Sequence, residues 1–548
     1  MQSDRTLLLT VESPQYAEAR DALASFAELQ KSPEHIHTYR LTPLSLWNAS
    51  AAGHTAEQVV AALTRFSRYE IPQNILVEIR DYMSRYGRLR LVKQGDRLVL
   101  TADRPELMTE IWSNRQVRPK LVGQIDATCV EVMPAQRGHV KQVLIKIGWP
   151  VEDLAGYVAG EHIAIALRAA TRAGQPFGPR AYQQEAADIF HAGGSERGGS
   201  GVICLPCGAG KTVVGMCTMA RLQTHTLILC TNITAVRQWM RELVDKTALD
   251  EAVIGEYSGE VKELSPITVT TYQILTWRKR KGGAFPHFEI FNAMNWGLII
   301  YDEVHLLPAP VFRMTAEIQA RRRLGLTATL VREDGREGDV FSLIGPKKYD
   351  VPWKVLEAQG WIAAAACTEV RVNMPEPLRL GYALAPPRAQ VRLAAENPEK
   401  LLVVERLVER HRDASVLIIG QYLSQLETVR EHLQAPLITG KTPNAERERL
   451  YAAFRSGELR LLIVSKVGNF AIDLPDANVA IQVSGTFGSR HEEAQRLGRI
   501  LRPKSDGTTA QFYAVVTRDT RDQDFAANRQ LFLAEQGYSY EIRNADEI

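Results

Sequence analysis

The run Leu205-Pro206-Cys207-Gly208-Ala209-Gly210-Lys211-Thr212 has the form of a phosphate-binding loop, and it restricts the chain to folds that can carry one. Such a loop needs a strand leading in and a helix leading out, so that backbone N–H groups converge on an anion at the helix N-terminus. The apolar stretch 201–204 supplies the strand, and the pattern from Val213 onward supplies the helix. Pro206, Cys207, Gly208, Ala209 and Gly210 would wrap the phosphates; Lys211 would reach the β- and γ-phosphates of ATP, and the Thr212 hydroxyl would hold Mg²⁺. The pattern G-x-x-x-x-G-K-[ST] is met except at its first glycine, where Leu205 stands.

A second element follows. Residues 298–305, Leu-Ile-Ile-Tyr-Asp-Glu-Val-His, read as a buried strand ending in two carboxylates. In open parallel sheets the functional groups gather at the carboxyl ends of strands. Asp302 is placed to hold the metal, and Glu303 to orient and deprotonate an attacking water. The plainer alternative is a solvated acidic turn after a core strand.

The chain has 548 residues, enough for several domains; 45% are apolar and 24% charged, and the net charge is +3. That charge excludes a polycation, so nucleic-acid contact must come from local patches. Arg278-Lys279-Arg280-Lys281 and Arg321-Arg322-Arg323 are candidates, or else solvated faces. Cys204 and Cys207 have zinc-like spacing but no second pair, and they overlap the phosphate loop, which favours packing. No secretory pattern opens the sequence and no apolar run reaches the length of a membrane span, so a cytoplasmic protein without a disulfide framework is expected.

The chain divides into four expected parts. Residues 1–115 read as strand, helices and a hairpin around Gln94-Gly95-Asp96, an α+β, winged-helix-like accessory domain, with Thr55 and Gln58 as a capping box. Residues 116–172 read as a small α/β connector. Residues 173–338 and 339–548 read as two tandem α/β lobes, each a parallel doubly wound sheet of the RecA-like kind, with the phosphate loop only in the first. An active cleft between the lobes would need a γ-phosphate sensor from the second. Gln495-Arg496-Leu497-Gly498-Arg499-Ile500-Leu501-Arg502 offers it: Arg499 and Arg502 are three apart and share one helical face. Gln183, in Arg180-Ala181-Tyr182-Gln183, could read an adenine edge.

The order of these elements resembles superfamily 2 helicases: RxYQ, GAGKT, the DEVH box 302–305, Thr327-Ala328-Thr329 and QRxGRxxR from Gln495. Within that group the chain is similar to the XPB family of DNA repair helicases, bacterial type, through Arg332-Glu333-Asp334 (the RED motif), Leu343-Ile344-Gly345-Pro346-Lys347, Asn397-Pro398-Glu399-Lys400, Ser465-Lys466-Val467-Gly468 and Arg529-Gln530-Leu531-Phe532. The resemblance implies ATP-driven unwinding of DNA with 3′-to-5′ polarity, strand separation involving Arg332, Glu333 and Asp334, and a DNA-gripping thumb-like insertion between residues 341 and 364. It also implies a damage-recognition-like place for the connector, which is short for that role. A nuclease or another repair protein is the implied partner. His305, Thr327 and Thr329 would couple the nucleotide to DNA. Segments 231–239 and 270–272, with Thr231, Thr270 and Thr271, would grip the phosphate backbone of duplex or single-strand junctions without reading sequence. Two rivals share these residues: a duplex translocase that separates no strands, and a nucleotide-gated scaffold that recruits repair proteins.

Overall fold

The structure is a computed structural model that describes the chain except residues 33–34, 207, 281–282, 284, 320, 329–334, 352–355, 357–364, 466–476, 486–509 and 536–538. The described strands form four sheets. The first is a small antiparallel one, β1 (Thr6–Thr10), β2 (Glu28–Lys31) and β3 (Ile36–Arg40), in the order β1-β3-β2. Helices Pro43–Ala51, Ala56–Phe66 and Gln73–Arg85 follow it. The Thr55–Gln58 capping box is present: Gln58 N–H donates to Thr55 Oγ1 (3.2 Å) and Thr55 N–H donates to Gln58 Oε1 (2.9 Å).

The hairpin β4 (Leu89–Gln94) and β5 (Arg97–Ala102) turns through Gly95 at φ +60°. It does not stand out as a wing. β5 pairs with β7 (Cys129–Val132) and β4 with β8 (Val151–Leu154), and with β6 (Leu121–Gln124) they make one five-stranded sheet. The expected boundary at 115/116 therefore falls inside a single sheet. The hairpin has both edges paired because Leu89, Leu91, Leu98 and Leu100 share one core with Val130, Val132, Val140 and Leu144.

The first lobe is a seven-stranded parallel sheet. Its strands are β9 (Ser200–Cys204), β10 (Thr226–Cys230), β11 (Ile254–Tyr257), β12 (Ile267–Thr271), β13 (Leu298–Asp302), β14 (Arg322–Thr327) and β15 (Lys347–Asp350), in the order β11-β12-β10-β13-β14-β9-β15. Parallel strands covered on both faces are apolar at consecutive positions: Leu227 and Leu229 enter one core, Ile228 and Cys230 the other. β15 corrects the expected boundary at 338/339, since the strand 347–350 pairs with β9 and closes the first sheet. Residues 347–350 of the expected thumb segment thus belong to the sheet of the first lobe, and most of residues 352–364 lie outside the described residues.

The second lobe repeats the plan. Its sheet is also seven-stranded and parallel, in the order β18-β19-β17-β20-β21-β16-β22. The strands are β16 (Ala365–Val372), β17 (Val416–Gly420), β18 (Leu437–Ile438), β19 (Leu461–Ser465), β20 (Val479–Gln482), β21 (Ala510–Thr517) and β22 (Ser539–Asn544). One buried apolar cluster runs through both lobes, from Ile203 and Ile228 to Leu417 and Leu462. The chain is thus two tandem RecA-like α/β lobes behind N-terminal α+β units.

The connector is fastened to the first lobe through a buried polar network. Asp153 accepts from Arg137 Nη2 (2.7 Å) and Lys141 Nζ (2.6 Å), all three side chains being buried. Lys141 also donates to Gln319 Oε1 (2.6 Å), and Gln319 Nε2 donates to the Leu343 carbonyl (3.0 Å). Burial pulls the Lys141 ammonium down to about 7 against the attraction of Asp153. Burial alone would raise the Asp153 carboxyl, but Lys141 and Arg137 hold it well below the usual range. The guanidinium groups of Arg137 and Arg323 lie 5.4 and 5.5 Å from the centroid of the Tyr157 ring. Gly138 permits the approach, because a Cβ there would lie 2.4 Å from the Ala316 carbonyl oxygen. Removing Asp153 leaves two buried cations uncompensated. We expect Asp153→Ala to cost about 3–5 kcal/mol, read as a lower urea midpoint for the transition that unfolds the first lobe.

Candidate active site

Neighbouring strands β9, β14 and β13 run parallel, so their carboxyl ends share one edge of the first sheet. The phosphate loop leaves that edge after Cys204. Gly208 and Gly210 have φ of +81° and +79°, which glycine adopts without steric penalty. Gly210 directly precedes helix Lys211–Leu222, so the free N–H groups of the first turn face the loop. Thr212 is half-buried beside Lys211 in that turn, and Pro206 is buried at the loop's entry. Cys207 lies outside the described residues.

The segment ahead of helix Ala181–His191 reaches the loop, but by an unexpected route. Tyr182 Oη and Gln183 Nε2 both donate to the Ala209 carbonyl, at 2.7 and 2.9 Å. Gln183 Oε1 accepts from Arg180 N–H (2.9 Å), and Arg180 Nη1 donates to Tyr182 Oη (3.0 Å). A Cβ on Gly210 would lie 2.4 Å from Gln183 Nε2, so that amide seats against the loop only because residue 210 is glycine. Both ends of the Gln183 amide are thus engaged with protein atoms.

The acidic pair stands opposite. Asp302 ends β13, and its Oδ2 accepts from Trp239 Nε1 (2.9 Å) while its carbonyl accepts from Tyr272 Oη (2.9 Å). Glu303 follows with φ +49°, a left-handed conformation that costs a non-glycine residue about 1–3 kcal/mol. That turn aims its carboxylate at the loop: Lys211 Nζ is 3.4 Å from Glu303 Oε1 and 3.5 Å from the Leu205 carbonyl. His305 Nδ1 lies 2.6 Å from Thr327 Oγ1 and 3.6 Å from Glu303 Oε2, which ties the DEVH turn to the end of β14. Burial, then the charge of Glu303, pushes the Asp302 carboxyl up to about 6, with the Trp239 hydrogen bond and Lys211 pulling the other way. Two adjacent carboxylates balanced by one lysine form an oxygen donor set with negative charge to spare. That is the chemistry of a Mg²⁺ site.

Other expected residues sit differently. Thr231 is half-buried and accepts from Asn232 Nδ2 (3.3 Å) just past β10, while Asn232 Oδ1 caps the next helix by accepting from Ala235 N–H (2.9 Å). Thr270 and Thr271 are buried at the end of β12, and Thr271 Oγ1 caps helix Tyr272–Thr276 by accepting from Ile274 N–H (3.2 Å). Thr329, Arg332, Glu333, Asp334, Gln495, Arg499 and Arg502 lie outside the described residues. The run 321–323 is neither a basic patch nor a solvated face. Arg321 donates to the Trp296 carbonyl, Arg322 Nη1 to the Val158 carbonyl (3.0 Å), and the fully buried Arg323 donates to the carbonyls of Leu343 (2.7 Å) and Gln319 (2.7 Å).

Sequence reasoning missed Tyr182, Trp239 and Tyr272 as supports of the site. Trp239 falls in segment 231–239, expected against DNA, yet it is buried and turned to Asp302. Its helical spacing from Val236 and Leu243 is that of any core residue, so no sequence signal marks it.

The Asp302 carboxyl ionises near pH 4 in an unfolded chain but at about 6 in the fold, so the fold binds its proton more tightly and loses stability as pH rises between those values. Asp302→Asn keeps an acceptor for Trp239 and removes the charge. In nucleotide-free protein we expect it to raise stability by about 1–3 kcal/mol at pH 7.5, with the gain vanishing by pH 4. Thermal melts of both proteins at the two pH values measure it.

Comparison with known proteins accords with this geometry. Residues 356–547 match the family described as "ERCC3/RAD25/XPB C-terminal helicase", residues 176–332 match "Type III restriction enzyme, res subunit", and residues 1–126 match "Helicase conserved C-terminal domain". The "DNA 3'-5' helicase XPB" of Kineococcus radiotolerans is 57% identical across 100% of this chain and 96% of its own length. The protein of the same name from Mycobacterium tuberculosis is 57% identical across 100% of this chain and 98% of its own. A "General transcription and DNA repair factor IIH helicase/translocase subunit XPB" from Antonospora locustae is 34% identical across 97% of this chain and 79% of its own. With the phosphate loop and the DEVH turn facing each other on one sheet edge, and with identity at this level running through the whole length, the chain belongs to the XPB family of superfamily 2 helicases.

Proposed function

We propose that this protein is an ATP-dependent 3′-to-5′ DNA helicase of repair, in which hydrolysis between the two lobes drives strand separation. The observation that carries the reading is the meeting of Lys211, Asp302 and Glu303 at the carboxyl edge of one parallel sheet, with Lys211 Nζ 3.4 Å from Glu303 Oε1.

Lys211 is held by Glu303 and the Leu205 carbonyl until phosphate oxygens offer it stronger partners. That exchange frees the Glu303 carboxylate to take the proton of an attacking water. Asp302, fixed by Trp239, and Thr212 are the residues that would hold Mg²⁺, which when bound offsets phosphate charge. Arg499 and Arg502, with Gln495 on the same segment, would approach from the second lobe on closure, so that hydrolysis waits for the lobes to close. His305, hydrogen-bonded to Thr327, would pass the state of Glu303 to the segment that carries Thr329, Arg332, Glu333 and Asp334. Thr231 and the backbone N–H groups after β10 and β12 would bind DNA phosphates. Arg180 and Gln183 would open from the loop to meet adenine. A nuclease or another repair protein is the partner proposed with this reading.

Glu303→Gln should lower ATP turnover by about 10²–10⁴, with nucleotide binding retained, as a steady-state phosphate-release assay will read. The unaltered protein should displace a strand from a duplex with a 3′ tail and fail on a 5′ tail. ATP turnover on DNA with no displacement on either substrate would favour the duplex translocase, and turnover indifferent to DNA would favour the scaffold. Binding to unrelated DNA sequences should weaken together by about 10-fold or more between 50 and 200 mM salt; anisotropy titrations at the two salts test it.

A further inference from the structure

The carboxyl edge of the first sheet continues beyond the nucleotide site, through β10 and β12 to β11, and ends in a cluster of rings and cations. Tyr257 closes β11, and Trp277 follows the short helix that leaves β12. Trp277 is 51% exposed. It is not loose: its ring lies 5.8 Å from that of His287, which is 5.7 Å from that of Tyr257, and Tyr257 Oη and His287 Nδ1 are 2.8 Å apart. Lys262 Nζ sits 4.7 Å from the Tyr257 ring centroid. Arg278, Lys279 and Arg280 extend from Trp277 and are exposed, Arg278 lying 5.3 Å from the Phe285 centroid. Of the neighbouring acids, Glu260 is engaged by Arg237 Nη2 (2.8 Å), while Glu289 lies close enough for its charge to act on Tyr257.

A buttressed, half-bare indole set among cations has two faces to its chemistry. The cations suit any polyanion, but the ring gains most from a flat π-surface that can leave water and lie on it. Bases of a single strand offer that surface and bases within a duplex do not, since they are stacked on each other. The cluster also lies on the same sheet edge as Thr231, the position at which the DNA reading puts the phosphate backbone. We propose that Trp277, buttressed by His287 and flanked by Arg278, Lys279, Arg280 and Lys262, is a base-stacking platform for unpaired nucleic acid, a site that holds single strand at the outer end of the first lobe. The inference rests on the DNA reading of the preceding subsection and adds to it a specific subsite with a preference for unpaired bases.

The test uses the full chain, a labelled oligo-dT and a duplex closed by hairpins at both ends, with anisotropy at fixed low salt. Trp277→Ala should weaken oligo-dT binding about 5- to 100-fold, the range of a lost base stack, and leave the closed duplex within about twofold. Trp277→Phe should retain most of the affinity. Lys279→Glu should weaken both ligands, because phosphates are common to both. ATP turnover without DNA and the melting temperature should be the same in Trp277→Ala as in the unaltered chain, which keeps misfolding out of the comparison. The proposal is overturned if Trp277→Ala binds oligo-dT normally, if it loses duplex and single strand equally, or if poly-glutamate binds in a Trp277-dependent way, which would make the cluster a site for acidic protein. If the unaltered chain binds neither nucleic acid, the DNA reading itself falls, a result distinct from failure of the platform alone.

Discussion

Two carboxylates at the end of a single buried strand repel each other, and the site is arranged around that repulsion. Asp302 is steadied by the Trp239 indole and Glu303 by Lys211, 3.4 Å away. Neither arrangement satisfies the pair in full: the Asp302 carboxyl is pushed up to about 6 by burial and by its neighbour. The protein keeps an acid pair that its own atoms only half neutralise, on the same edge as a loop built to receive phosphate. On the function proposed above, cations and phosphates entering together would settle a charge imbalance already present in the fold. Lys211 would then have to choose between Glu303 and a phosphate, which would be a reason for conformational change to follow nucleotide binding.

The supports of the site are backbone contacts more than side-chain pairs. The Ala209 carbonyl is held by Tyr182 and Gln183, the Asp302 carbonyl by Tyr272, and Leu205 N–H by the Thr327 carbonyl (2.9 Å). Each contact joins the loop or the acidic turn to a different element of the first lobe. A shift in any one of them is felt at the phosphates through distances of one hydrogen bond.

The parts of this design that were legible in the sequence are those written in local runs. The phosphate loop and the DEVH turn each sit within eight consecutive residues, and the strand leading into each is marked by apolar residues at consecutive positions. The family resemblance, resting on ordered motifs such as Arg332-Glu333-Asp334, agrees with relatives 57% identical over the whole chain. What was not legible depends on pairing at a distance. The hairpin 89–102 reads as a self-contained wing until β7 and β8 take its edges. Residues 347–350 give no hint that they close the sheet begun by β11 and β12. Arg321, Arg322 and Arg323 look like a charged surface because sequence carries no record of which carbonyls need donors, and here the carbonyls of Trp296, Val158 and Leu343 do. Gln183 was read for its amide edge, but its position opposite Gly210 depends on a tertiary approach that composition does not encode.

The ring of Tyr157 is approached by Arg137 of the connector and by Arg323 of the first lobe, which gives the junction a mechanical meaning. The Arg323 guanidinium beside that ring and the buried Lys141–Gln319 hydrogen bond both cross from one unit to the other and resist separation. The connector is therefore joined to the first lobe by buried polar contacts. Any displacement of the sheet that carries the phosphate loop would carry the connector with it.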